Sequence, residues 1–110
     1  MNLSPNDKIA GVLAPLFALR TEDDLGIGDV AALRQFIDWS RALGFKLVQL
    51  LPINETGGDH SPYNAISSRA IDSITLQLAP GIPRDLSAEA FAEVTAGIDL
   101  PALRRGGVHY

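Results

Sequence analysis

Cysteine is absent from this chain of 110 residues. Its absence excludes disulfides, thiol nucleophiles and thiolate metal sites. It also fits a reducing compartment, so a cytoplasmic location is expected. Basic residues are in deficit, nine Lys and Arg against 13 Asp and Glu, for a formal net charge of −4. Without a basic stripe, neither nucleic acid nor an anionic membrane surface is an expected partner. Long apolar runs are missing as well. The longest, residues 47–51, is interrupted by Gln49 and is far too short to cross a bilayer. Residues 1–7 are polar and hold no apolar core of a secretory signal.

What remains is an ordinary globular composition. Hydrophobic residues make up 46% of the chain, too many for a disordered segment. The length allows one domain. Residues 10–15, Ala-Gly-Val-Leu-Ala-Pro, predict a short buried strand closed by Pro15. Asp29 offers an N-cap carboxylate, and apolar residues at 30, 33, 36, 37 and 43 follow at helical spacing until Gly44. Residues 46–51 predict a second apolar strand, closed by Pro52. Strand, helix and strand with short connections imply a parallel pair with a right-handed crossover. Both strands read as mainly apolar runs, which predicts burial on both faces. The segments that follow them belong at the carboxyl ends of the strands, where α/β folds build sites. Further on, residues 70–78 alternate at Ile74, Leu76 and Leu78 and predict a strand with one wet face. Residues 79–84 form a Pro/Gly-rich turn. Residues 87–95 predict a second helix, with Ser87 as N-cap and Gly97 as stop.

Three segments hold residues that could do chemistry. Gly26-Ile27-Gly28 precedes a helix, as a phosphate cradle would. However, position 31 is Ala instead of the third glycine of a dinucleotide fingerprint, and Asp29 puts negative charge where phosphate would sit. A tight turn feeding an Asp-capped helix is the simpler reading. The acids Glu22, Asp23 and Asp24 read as a solvated loop, His109 as a surface residue, and Trp39, beside Phe36, as core or partner-facing. The third segment is Asn54-Glu55-Thr56-Gly57-Gly58-Asp59-His60-Ser61-Pro62-Tyr63-Asn64. Adjacent Asp59 and His60 make a poor metal site, and adjacent His60 and Ser61 a poor nucleophile pair. Short hydrogen-bonding side chains beside a flat ring suit a hydroxyl-rich ligand. The segment therefore has two readings, a sugar-binding loop and a solvated polar loop.

Four motifs, in order, carry a resemblance: Gly11-Val12-Leu13, Leu25-Gly26-Ile27-Gly28-Asp29, Gln49-Leu50-Leu51-Pro52 and Ser61-Pro62-Tyr63. Together they resemble the amylomaltases, the 4-α-glucanotransferases of glycoside hydrolase family 77, over about residues 9–78. The likeness continues more weakly to Val108-His109-Tyr110. The chain departs from the family pattern at Ala14-Pro15-Leu16-Phe17, where the family carries His-Pro-Thr-Ser, and at His60, where it carries Asp. The resemblance implies an α/β chain, the N-terminal β-α-β portion of a (β/α)₈ TIM barrel plus the start of an inserted subdomain. Residues 1–78 would hold the first units and the active-face loop, and 79–110 the start of the insertion. It implies transfer of α-1,4-glucan segments between maltooligosaccharides by a retaining mechanism, without metal or cofactor. Ser61 and Tyr63 would contact glucan. The family's catalytic carboxylates lie downstream of the matched motifs, so no catalytic residue is assigned to this chain. A barrel needs roughly 250 residues, and the chain stops just after Gly106-Gly107. The expectation is therefore an N-terminal fragment, inactive alone. The alternative is a small non-catalytic carbohydrate-binding α/β module.

Overall fold

The computed structural model describes residues 4–80 and 86–110. Two strands, β1 (Gly11–Ala14) and β2 (Leu47–Leu50), form a parallel sheet joined through helix α1 (Val30–Ala42). Gly11, Val12, Leu13 and Ala14 pair in register with Leu47, Val48, Gln49 and Leu50. Backbone bonds from Lys46 N–H to the Ala10 carbonyl and from Leu51 N–H to the Ala14 carbonyl extend the ladder at both ends. The predicted β-α-β unit is therefore present, with each strand one residue shorter at each end than the apolar runs.

The start and stop of α1 follow local chemistry. Asp29 is extended, and its carboxylate accepts from the Ala32 N–H at 2.9 Å, satisfying a donor that the first helical turn leaves free. Gly44 ends the helix with φ +87°, a left-handed conformation that glycine adopts without a Cβ penalty. Before the helix, a 3-10 turn at Leu16–Ala18 folds the chain back so closely that a Cβ on Gly28 would collide with the Leu16 carbonyl oxygen. Gly28 N–H donates to the Phe17 carbonyl at 2.8 Å. Gly26-Ile27-Gly28 is thus a tight turn into a capped helix.

The buried hydrophobic residues among those described are Leu16, Ile27 and Ala32. The core therefore lies where the β1–α1 loop meets the first turns of α1, away from the middle of the sheet. Burial of both strands on both faces is not observed. Leu13 is 58% and Leu47 47% exposed, because two strands and one helix leave a sheet face and both sheet edges uncovered. The strand expected over 70–78 is also absent. Ile71 makes an isolated antiparallel bridge to Asn54, and Ser73–Thr75 is a 3-10 turn. Asp72 redirects the chain there, its carboxylate accepting from the Ile74 N–H at 3.2 Å, and this local bond competes with strand formation. Among the described residues, the alternation of Ile74, Leu76 and Leu78 has no partner strand to pair with.

Helix α2 (Ala88–Thr95) is capped as expected, Ser87 Oγ accepting from the Ala90 N–H at 3.1 Å. A further helix, α3 (Leu100–Leu103), was not anticipated; Asp99 caps it and Pro101 sits in its first turn. The turn expected over 79–84 lies mostly outside the described residues, as does the very start of the polar N-terminus. No described helix is long and apolar enough to cross a membrane.

Candidate functional site

The carboxyl ends of both strands open into one small, solvent-open cleft. The turn after β1 supplies Leu16 and Phe17, and the segment after β2 supplies Leu51, Pro52 and Ile53. These apolar residues make the floor, with Leu16 fully buried beneath it. The polar rim is Asn54, Thr56, His60 and Asp72, and Tyr110 closes the far side.

The segment after β2 returns on itself to make this rim. Asn54 and Thr56 bridge to Ile71 and Ala65, so residues 54–71 form an irregular antiparallel excursion rather than a free loop. Asp72 latches its base. One carboxylate oxygen accepts from the Thr56 N–H at 3.3 Å and hydroxyl at 3.1 Å, and the other accepts from the Ile74 N–H. Thr75 is buried, and its hydroxyl donates to the Asp72 carbonyl at 2.7 Å.

Asp59 organises the tip. Its carboxylate accepts from the Ser61 N–H at 3.2 Å and from Asn64 Nδ2 at 2.8 Å. The Asn64 amide, then the Ser61 N–H, hold Asp59 below its ordinary carboxylate range. The Asn64 N–H returns to the Ser61 carbonyl at 3.0 Å. His60 stands at φ 51°, a left-handed conformation uncommon outside glycine. That conformation turns its ring onto Tyr110, with centroids 4.5 Å apart and planes 15° from parallel. Phe17 lies on Tyr110 as well, at 5.9 Å.

The two residues expected to touch substrate sit on this tip. Ser61 is half-buried, with its backbone held by Asp59. Tyr63 is 76% exposed. Neither lines the cleft; Pro62, between them, does. The site residues not anticipated are Phe17, Asp72 and Tyr110. Asp72-Ser-Ile-Thr75 carries the spacing of an aspartate turn and was legible in principle. Tyr110 reaches the cleft from the other end of the chain, and nothing local announces it. Among the described residues, no three His, Asp or Glu side chains gather as metal ligands.

The acids at 22–24 divide. Glu22 and Asp23 are exposed, as expected of a solvated loop. Asp24 is 1% exposed. Arg20 pairs with it through Nε at 2.6 Å and Nη2 at 3.0 Å, and the N–H groups of Thr21 and Gly26 donate to it at 2.8 Å each. Asp24 is thus a buried structural hub. Burial works to raise its pKa, but the Arg20 and backbone hydrogen bonds and the Arg20 charge outweigh it and hold the carboxylate below its ordinary range.

Comparison with known proteins gives one consistent result. The sequence model of the 4-alpha-glucanotransferase family, glycoside hydrolase family 77, matches residues 14–101. A 4-alpha-glucanotransferase of Chlamydia caviae is 48% identical over 69 residues, covering 63% of this chain and 13% of that protein. One from Chlamydia trachomatis is 46% identical with the same coverage. The 4-alpha-glucanotransferase DPE2 of Oryza sativa subsp. japonica is 40% identical over 88 residues, 73% of this chain and 9% of that protein. The chain thus spans about 13% of the length of the chlamydial relatives it matches. No solved structure matches it.

Proposed function

Because this chain belongs to the 4-alpha-glucanotransferase family, we propose that it is the N-terminal part of an enzyme that transfers α-1,4-glucan segments between maltooligosaccharides. The observation that carries the reading is the cleft shared by the ends of both parallel strands. Active sites of (β/α)₈ barrels lie at that end, and β1, α1 and β2 form the first units of such a barrel. Residues 1–78 then belong to the barrel and its active-face loop, and residues 79–110 to an inserted subdomain.

The chemistry proposed is a retaining double displacement. One carboxylate attacks the anomeric carbon, and a second protonates the leaving oxygen and then activates the acceptor. A sugar hydroxyl takes the place of water. Those carboxylates come from outside this chain. Its own contribution is to bind glucan, with Ser61 and Tyr63 on the tip and Phe17, Thr56 and Asp72 in the cleft. The absence of cysteine suits a cytoplasmic enzyme.

The test is incubation of the whole purified enzyme with maltotriose, with separation of the products by length. Shorter and longer maltodextrins together, with no net gain of reducing ends, support transfer. A gain of reducing ends without longer products would replace transfer by hydrolysis, and unchanged maltotriose would overturn the reading.

A further inference from the structure

The far wall of the cleft comes from the end of the chain, and the buried ion pair holds it there. While its fork grips Asp24, Arg20 also donates from Nη2 to the Leu103 carbonyl at 2.9 Å and from Nη1 to the Gly107 carbonyl at 2.6 Å. Arg104 reaches back, with Nε to the Asp24 carbonyl at 2.9 Å and Nη2 to the Asp23 carbonyl at 3.2 Å. The His109 N–H donates to the Gly26 carbonyl at 2.9 Å. The side-chain ties join groups 80 to 87 residues apart. They fasten the strap from Leu103 to Tyr110 onto the β1–α1 loop, the same loop that supplies Phe17 to the cleft floor.

We propose that Arg20 and Arg104 are positioning residues for substrate binding. Through the Asp24-centred network they set where Tyr110 stands, and so how the cleft accepts a glucosyl unit. The inference rests on the glucan reading above. Three features carry it. One peptide unit separates the anchored His109 N–H from Tyr110, so any shift of the strap is passed to the ring. That ring faces the cleft against Phe17 and His60, and it has no hydrogen bond of its own among those described. Arg104 spans two successive carbonyls with the fixed fork of a planar guanidinium, a geometry that the compact ammonium of lysine does not reproduce.

The experiment uses the whole enzyme and the variants Arg104→Ala, Arg104→Lys, Tyr110→Ala and Arg104→Ala/Tyr110→Ala. Arg104→Ala is expected to raise KM for maltotriose about 5-fold with kcat within about 2-fold, because the guanidinium it removes is remote from the reacting atoms. Arg104→Lys is expected to restore less than half of the loss. In the Tyr110→Ala background the Arg104 substitution should add nothing further, since its effect passes through that ring. Histidine labelled with carbon-13 in its ring supplies a readout independent of activity. The resonances of His60, shifted by the stacked Tyr110 ring, should move toward unstacked values in Arg104→Ala. Full additivity with Tyr110→Ala, or an unmoved His60 resonance, would overturn the positioning role. An equal fall in kcat and melting temperature would reduce the network to a structural tie. If the wild-type enzyme leaves maltotriose unchanged, the glucan reading fails, and the His60 resonance alone then decides whether Arg104 positions Tyr110.

Discussion

Asp24 accepts four hydrogen bonds with its side chain out of solvent. A carboxylate satisfied this fully stabilises the fold only while ionised. Its folded pKa lies below the ordinary 3.8, so its contribution is complete above that value and is lost as the pH falls through the folded pKa. Asp24→Asn should cost about 2 kcal/mol at neutral pH, because it leaves the Arg20 guanidinium short of a partner. It should also flatten the decline in stability below pH 4. Denaturant titrations at neutral and acid pH check both effects. Tyr63 calls for the opposite comparison. Being 76% exposed, it can be truncated with little loss of stability, within about 0.5 kcal/mol. If it contacts glucan, Tyr63→Ala should lower kcat/KM for maltooligosaccharides about 10- to 100-fold, or roughly 1.4 to 2.7 kcal/mol. Tyr63→Phe separates the hydroxyl from the ring. Kinetics and melting measured on the same variant distinguish a glucan contact from a packing role.

At the scale of elements, α1 depends on its two ends. Asp29→Ala removes the acceptor of the Ala32 N–H and should cost about 1 kcal/mol. Asp29→Ser should recover most of it, and thermal melts of the three proteins are the check. Gly28→Ala should be far worse, because the added carbon meets the Leu16 and Leu19 carbonyl oxygens. Both positions were legible in the order of residues, since an Asp ahead of an apolar 3.6-residue period and a glycine pair in a turn have local causes. The segment 70–78 was not legible. Its alternation resembles a strand, but a strand needs a partner, and Asp72 instead commits its carboxylate to Thr56 and Ile74.

Over the whole molecule, the apolar surface is large for its size. Leu13, Leu47, Ile37 and Leu43 stand between 45% and 58% exposed. Phe36, Trp39 and Phe45 form an aromatic run beside them, with Phe36 and Trp39 stacked at 5.5 Å and Trp39 6.5 Å from Phe45. Trp39 is 52% exposed, so of its two expected roles the partner-facing one fits better than the core one. A surface of this kind predicts that the 110-residue chain on its own binds a hydrophobic dye or aggregates. A cooperative melt of a dye-free monomer would contradict it. On the proposed reading, in which the catalytic carboxylates come from outside it, the same chain should form no shorter or longer products from maltotriose. Products from a preparation free of host enzyme would show otherwise.

The parallel β-α-β unit, the capped helix, the glycine turn and the family were all present in the order of residues. Each depends on spacing within a few positions or on motifs that keep their sequence. The burial of Asp24, the turn at Asp72 and the arrival of Tyr110 at the cleft depended on contacts between segments far apart in the chain. A carboxylate in a row of acids looks solvated until an arginine strap closes over it. An aromatic ring beyond a Gly-Gly pair looks incidental until the backbone bond from His109 to Gly26 brings it against His60. Local hydrogen-bonding rules act over three or four residues, whereas the cleft is assembled by desolvation and by pairing between the two ends of the chain.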